Sequence, residues 1–191
     1  MDFFSYKNKL KPAAGRILIS EPFLPDPNFE RSIVLLCEHN EEGSLGFVLN
    51  RPTEWNVVDK IDDVKNFDGK LYVGGPVEQT SLNFIHRYPA LEESTPLGNG
   101  IYFGGNFEKL FFLLETKQID TADVRFFMGY SGWAAGQLGE ELDVDSWIVS
   151  DKVDEDLIFD TDPALLWKKT LQKMGGRFTV YSNYPADPRM N

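Results

Sequence analysis

Two short stretches carry residue types that could do nucleophilic chemistry. Cys37 and His39 lie two apart in residues 32–39 (SIVLLCEH), a run that reads as a buried strand. Period-two alternation then puts both side chains on one face. A thiol beside an imidazole can ionise and serve as a nucleophile or a redox sensor. No third residue stands ready to orient the imidazole, and a lone cysteine there reads more readily as a small, inert core residue with a histidine at the strand end. The second stretch is Gly129-Tyr130-Ser131-Gly132-Trp133, a strand entering a glycine turn with serine at the bend. A nucleophile elbow needs glycine two residues after the serine, where this chain has Trp133, so serine-hydrolase chemistry is disfavoured.

The same turn suits binding better. A strand, glycines and then a helix N-terminus would leave free backbone N–H groups and a positive dipole end for an anion. Gln137 falls one helical turn after Trp133 and would share its face. Gly74-Gly75-Pro76 makes a second glycine turn after a strand, and Arg51 adds a cation at the end of a third. Should they converge, Arg51, Gly74, Gly75, Tyr130, Gly132, Trp133 and Gln137 form a site for a small anionic ligand with an aromatic wall. The competing reading is that the glycines only permit tight turns and close strand–helix packing, which also fits Gly136. No spacing matches a zinc or calcium loop, and the acidic run from Asp143 to Asp156 lacks the glycine and final glutamate of an EF-hand. No metal and no cofactor are expected.

These residues must be carried by alternating elements. Strands are expected at 15–20, 32–39, 44–50, 70–74, 81–87, 101–104, 124–130 and 147–150, with a turn at 41–44 joining the second and third as a hairpin. Helices are expected at 54–61, at 107–117 capped by Asn106, at 133–142, and at 162–174 with Asp162 as cap and Gly175-Gly176 as stop. Residues 1–14 read as an N-terminal extension, 15–184 as one domain, and 185–191 as a frayed tail. The fold class is therefore mixed α/β, and the hairpin argues against a purely parallel sheet.

Composition bounds the partners. Across 191 residues the charged groups sum to −11, which repels phosphate backbones and anionic membranes. The basic cluster Lys168, Lys169, Lys173 and Arg177 is too small to offset that charge for groove binding. A single cysteine fits a reducing compartment, the first ten residues carry no apolar core of signal-peptide type, and the longest strictly apolar run is 110–114. A cytoplasmic protein without membrane spans is expected. The 15 Phe, 7 Tyr and 4 Trp can fill a core, and exposure of Trp55, Trp133, Trp147 or Trp167 would mark an interface.

Five strings occur in an order that resembles the YqgE/AlgH family of bacterial proteins. They are Phe23-Leu24-Pro25-Asp26-Pro27-Asn28-Phe29-Glu30-Arg31-Ser32, Leu36-Cys37-Glu38-His39, Gly46-Phe47-Val48-Leu49-Asn50-Arg51-Pro52, Val73-Gly74-Gly75-Pro76-Val77 and Gly129-Tyr130-Ser131-Gly132-Trp133-Ala134-Ala135-Gly136-Gln137-Leu138. The likeness covers about residues 15–176, and Gly104-Gly105-Asn106 departs from it where Ser/Thr-Asp is expected. It implies a compact α/β domain whose split mixed sheet curls toward a pseudo-barrel flanked by helices. The family carries a transcriptional-regulator label and no established chemistry. Together these readings favour a non-catalytic regulatory or adaptor protein acting through a protein partner or small ligand. An enzyme or sensor for an anionic metabolite built on the glycine turns and Arg51 is the alternative, and direct DNA binding ranks behind both.

Overall fold

The apolar runs that read as buried strands have both faces covered, and three packing clusters result. In the computed structural model, which describes residues 6–61, 65 and 67–185, Ile17 and Ile19 of β1 (Ile17–Ser20) face one cluster while Leu18 faces another. β2 (Ile33–Asn40) divides the same way, with Ile33, Leu35 and Cys37 on one side and Val34 and Leu36 on the other. A strand buried on both faces needs an unbroken apolar run rather than alternation, which is what these segments carry. β3 (Gly43–Val48) returns from β2 through Glu41-Glu42 as the expected hairpin, one residue earlier than anticipated.

The remaining strands are β4 (Pro52–Asn56), β5 (Lys70–Val73), β6 (Val77–His86), β7 (Thr95–Gly98), β8 (Ile101–Phe103), β9 (Val124–Ala134) and β10 (Trp147–Ser150). The sheet runs β10-β1-β2-β3-β9-β6-β8-β7, with β5 branching from β9 and β4 from β5. The split lies within β9. Its first half pairs parallel with β5 through Phe126 to Met128, and its second half pairs antiparallel with β3 through Ser131 to Ala134. Gly74 sits in the fork, donating its N–H to the Met128 carbonyl at 2.9 Å and accepting from the Val48 N–H at 2.8 Å. A methyl group at Gly74 would lie 2.4 Å from the Gly129 carbonyl oxygen, so only glycine lets the three strands meet. The sheet also curls: Gly15, just before β1, packs so closely on β7 that a methyl there would be 2.0 Å from the Leu97 carbonyl. No ladder joins β7 to β1 among the described residues, so the sheet is split and curled but not closed into a barrel.

Helices cover what the strands leave open. α1 (Phe107–Glu115), capped by the Asn106 side chain, buries Leu110, Leu113 and Leu114 against Leu71, Phe84 and Phe126. α2 (Gln137–Asp143) sets Leu138 on the outer face of β1 to β3. α3 (Glu155–Phe159) and α4 (Pro163–Met174) fill the inside of the curl with Ile158, Leu166, Trp167 and Leu171. α4 starts as expected, with Asp162 accepting from the Ala164 N–H, and α5 (Arg177–Tyr181) follows Gly175-Gly176. Full burial of Leu166 and Leu171 contributes about 1.5–3 kcal/mol each.

Two expected helices take other forms. Residues 54–61 form β4 and one 3-10 turn, Val57–Asp59. The Thr53 hydroxyl ties β4 to the Leu71 carbonyl at 2.9 Å, and the Asp59 carboxylate accepts from the Asn56 N–H at 2.9 Å at the start of that single turn. Trp133 belongs to β9, opposite Ser44, and α2 begins only at Gln137. Six of the final residues, 186–191, lie outside the described residues and so does most of the expected tail.

Candidate functional site

The thiol and imidazole are not brought together. Cys37 is buried in the main core, and burial, reinforced by the neighbouring Glu38 carboxylate, pushes its thiol well above the ordinary range. Its register with β3 is interrupted by a bulge between Leu36 and Glu38, beyond which β2 is exposed. His39 stands in solvent, its Nδ1 2.7 Å from the Ser44 hydroxyl. A thiol held neutral and away from water has neither the ionisation nor the access that a redox sensor needs.

Residues 129–133 are strand rather than turn, which removes the elbow. The Ser131 hydroxyl is buried and donates to the Gly74 carbonyl at 3.0 Å, so it closes the sheet fork. The other histidine, His86, is fully buried. Its Nδ1 accepts from the Tyr88 N–H at 3.2 Å, which leaves Nε2–H to donate to the Gly104 carbonyl at 2.9 Å. Burial pushes its pKa down and keeps the ring neutral.

Trp133 and Gln137 serve a structural purpose that sequence reasoning missed. The Glu141 carboxylate accepts from the Trp133 indole at 2.9 Å and from the Trp147 indole at 2.7 Å, both through Oε2. Gln137 donates to Glu141 at 3.1 Å and accepts from the Ala134 N–H at 3.0 Å. One end of its amide thus holds α2 to β9, and the other steadies the carboxylate that both indoles share.

The candidate residues divide between two cavities that share no lining residue. Tyr130, Gly132 and Trp133 line one of about 370 Å³ together with Glu38 and Glu42, carboxylates that repel an anion. Arg51 and Gly75 line the other, about 420 Å³, with Val48, Pro52, Val73 and Pro76. Gly74 and Gln137 line neither. Gly75 has its own packing reason, since a methyl there would sit 2.3 Å from the Tyr130 carbonyl. Among the described residues no three His, Cys, Asp or Glu side chains gather as a metal site, and no helix is long and apolar enough to cross a membrane.

The Arg51 cavity continues onto an open sheet edge. β4 pairs only with β5 among the described residues, and only at Pro52 opposite Tyr72 and Asn56 opposite Lys70. Beside this loosely held edge Trp55 is 53% exposed, with the Lys60 ammonium 3.8 Å above its ring, and Val58 and Val73 are exposed as well. Trp133, Trp147 and Trp167 are all buried. The β10 edge is managed differently, because the Asn8 amide bonds both the Trp147 carbonyl and the Val149 N–H.

Comparison with known proteins places this geometry. A family model described as AlgH-like matches residues 17–179. A protein of Cytophaga hutchinsonii named "UPF0301 protein" is 45% identical over 179 residues, covering 93% of this chain and 98% of that relative. Another so named, from Chlorobaculum parvum, is 38% identical over 93% of this chain and 95% of its own length. Among solved structures, a Corynebacterium diphtheriae protein superposes with a TM-score of 0.74 at 22% identity, covering 93% of this chain and 95% of that one. The AlgH protein of Pseudomonas aeruginosa gives 0.70 at 24% identity, covering 93% and 98%, so both share the fold. With the model spanning nearly the whole sheet and the 45% relative covered end to end, the chain belongs to the AlgH-like family.

Proposed function

We propose that this protein is a non-catalytic regulatory adaptor of the cytoplasm that acts by holding an extended segment of a protein partner. The segment lies along the free edge of β4 and reaches into the cavity lined by Pro52, Val73, Pro76 and Arg51. The observation that carries this reading is Trp55, the one tryptophan of four left outside the core, standing on a strand that no second strand covers among the described residues. Strand addition draws affinity from such an edge, and tryptophan and arginine are the side chains that most often dominate an interface. The net charge of −11 disfavours a nucleic acid as the partner.

Affinity capture from cell extract tests the reading, with the tagged chain and its Trp55→Ala variant side by side. Truncating a tryptophan at the centre of an interface costs about 2 kcal/mol or more, a loss of roughly 30-fold. The wild-type chain is expected to recover a discrete protein that the variant does not. Recovery of nothing above background, or of the same protein equally by both, sinks the proposal.

A further inference from the structure

Asn50 and Arg51 also line a further cavity, which otherwise shares no residue with the one beside β4. Its volume is about 400 Å³, and Arg31, Arg51, Lys168, Trp167 and Leu165 wall it at the first turn of α4. No aspartate or glutamate is among its described lining residues. In a chain of net charge −11, three cations around one void run against the composition, because acidic side chains to neutralise them are plentiful elsewhere.

Arg31 is the unusual member. Its Nη2 donates to the Tyr184 carbonyl at 2.7 Å, and its guanidinium lies 4.9 Å from the centre of the Trp167 ring. Its Nε–H is shielded from water and has no hydrogen-bond partner among the described residues. Leaving a buried donor unmet costs about 1–3 kcal/mol, and more on a charged group. The backbone of Arg31 is held at φ 47°, in the left-handed region that non-glycine residues rarely adopt. An unmet charged donor and a strained backbone on one residue are features that folds retain where a ligand repays them. Burial lowers the Arg31 pKa, with the Glu30 carboxylate acting in the opposite direction.

The other groups leave the site cationic. Arg51 Nη2 bonds the Glu30 carbonyl at 2.5 Å rather than a carboxylate. Asp162, the N-cap just before α4, accepts from the Ala164 N–H and keeps its charge there. That charge offsets the partial positive charge of the helix start, so the three side-chain cations carry the site.

The geometry points to a binding site for a small phosphorylated metabolite, its phosphoryl group held by Arg31, Arg51 and Lys168 at the start of α4. The Arg31 Nε–H itself lies out of reach of the void, so the phosphoryl group meets the outer guanidinium nitrogens and the Nε–H senses the charge brought beside it. A dianion matches three cations better than a carboxylate, which would leave most of the positive charge unmet. The cavity falls within the size range of metabolite sites, with room beyond the phosphoryl group against Leu165, itself 45% exposed.

The test follows the Arg31 Nε–H signal in ¹H–¹⁵N spectra of the full chain. Inorganic phosphate, phenyl phosphate and benzoate are titrated to roughly 10 mM at constant ionic strength, well beyond a millimolar Kd. The signal is expected to move saturably with both phosphates, more tightly with phenyl phosphate and more weakly with benzoate. Lys168→Met, an exposed position that leaves the core intact, is expected to weaken phenyl phosphate about fivefold, as loss of one screened charge implies. No saturable movement overturns the proposal, as does insensitivity to Lys168→Met or benzoate binding as tightly as phenyl phosphate. None of these outcomes involves Trp55, so failure here is distinct from failure of partner binding.

Discussion

Glu141→Leu is the substitution whose effect can be worked most fully from the structure. The carboxylate takes indole N–H groups from Trp133 and Trp147, which are 5% and 1% exposed. Leucine offers no acceptor and blocks water from replacing it, leaving two buried donors unmet. At about 1–3 kcal/mol per orphaned donor, the loss should total about 2–6 kcal/mol. For a chain of 191 residues each kcal/mol moves the Tm by about 2–4 °C, so a fall on the order of 10 °C follows. Glu141→Gln keeps an oxygen in place and forfeits only the charge-assisted part of two bonds, about 1–2 kcal/mol. Urea unfolding measures both, while the two indole resonances report whether the hydrogen bonds persist in the glutamine variant. If Glu141→Leu unfolds within about 0.5 kcal/mol of wild type, the joint between α2 and β9 is not held as described.

Other perturbations separate packing from chemistry. Gly74→Ala forces a methyl to 2.4 Å from the Gly129 carbonyl and should cost about 3 kcal/mol or prevent folding. Gly139→Ala, inside α2 with open space around it, should instead stabilise by about 0.5–1 kcal/mol in the same urea titration. The Cys37 thiol should react with a disulfide reagent only as fast as the chain opens, and rapid labelling of the native protein would contradict its burial. Arg87 holds the Asp160 carboxyl below its usual range through paired bonds of 3.0 Å. That contribution is present above the unfolded pKa near 4 and is lost as pH falls through the lower folded value. The difference in urea midpoint between wild type and Asp160→Asn should therefore shrink from pH 7 to pH 3.

The sequence is most legible where burial is two-sided or caps are explicit. Residues 17–19 and 33–37 are apolar without interruption because both faces are covered, and Asp162-Pro163 with Gly175-Gly176 bounds α4. Local signals fail where a distant group decides. The glycines around Ser131 read as a turn, yet Gly132 is extended opposite Leu45, and it is Gly129 that adopts φ 69°. Residues 54–61 have enough apolar spacing for a helix, but the β5 ladder claims the first half. The anticipated anion site divides for a similar reason: Arg51 and Gly75 do converge, whereas Trp133 and Gln137 are bound to Glu141. Glu141 lies between Trp133 and Trp147 in sequence, but only the packing of α2 against β9 and β10 brings both indoles to one carboxylate. Arg31 likewise carries no local mark of the cavity it shares with Lys168.

Photo-crosslinking tests the central claim, that the chain works by holding a partner at the β4 edge. A benzophenone amino acid is placed at Trp55 in living cells, and at Val144, which is 72% exposed and remote from β4 in the fold, as control. Irradiation should yield one discrete heavier adduct from position 55 and none from position 144. Equal adducts from both positions, or none from position 55, would contradict the account.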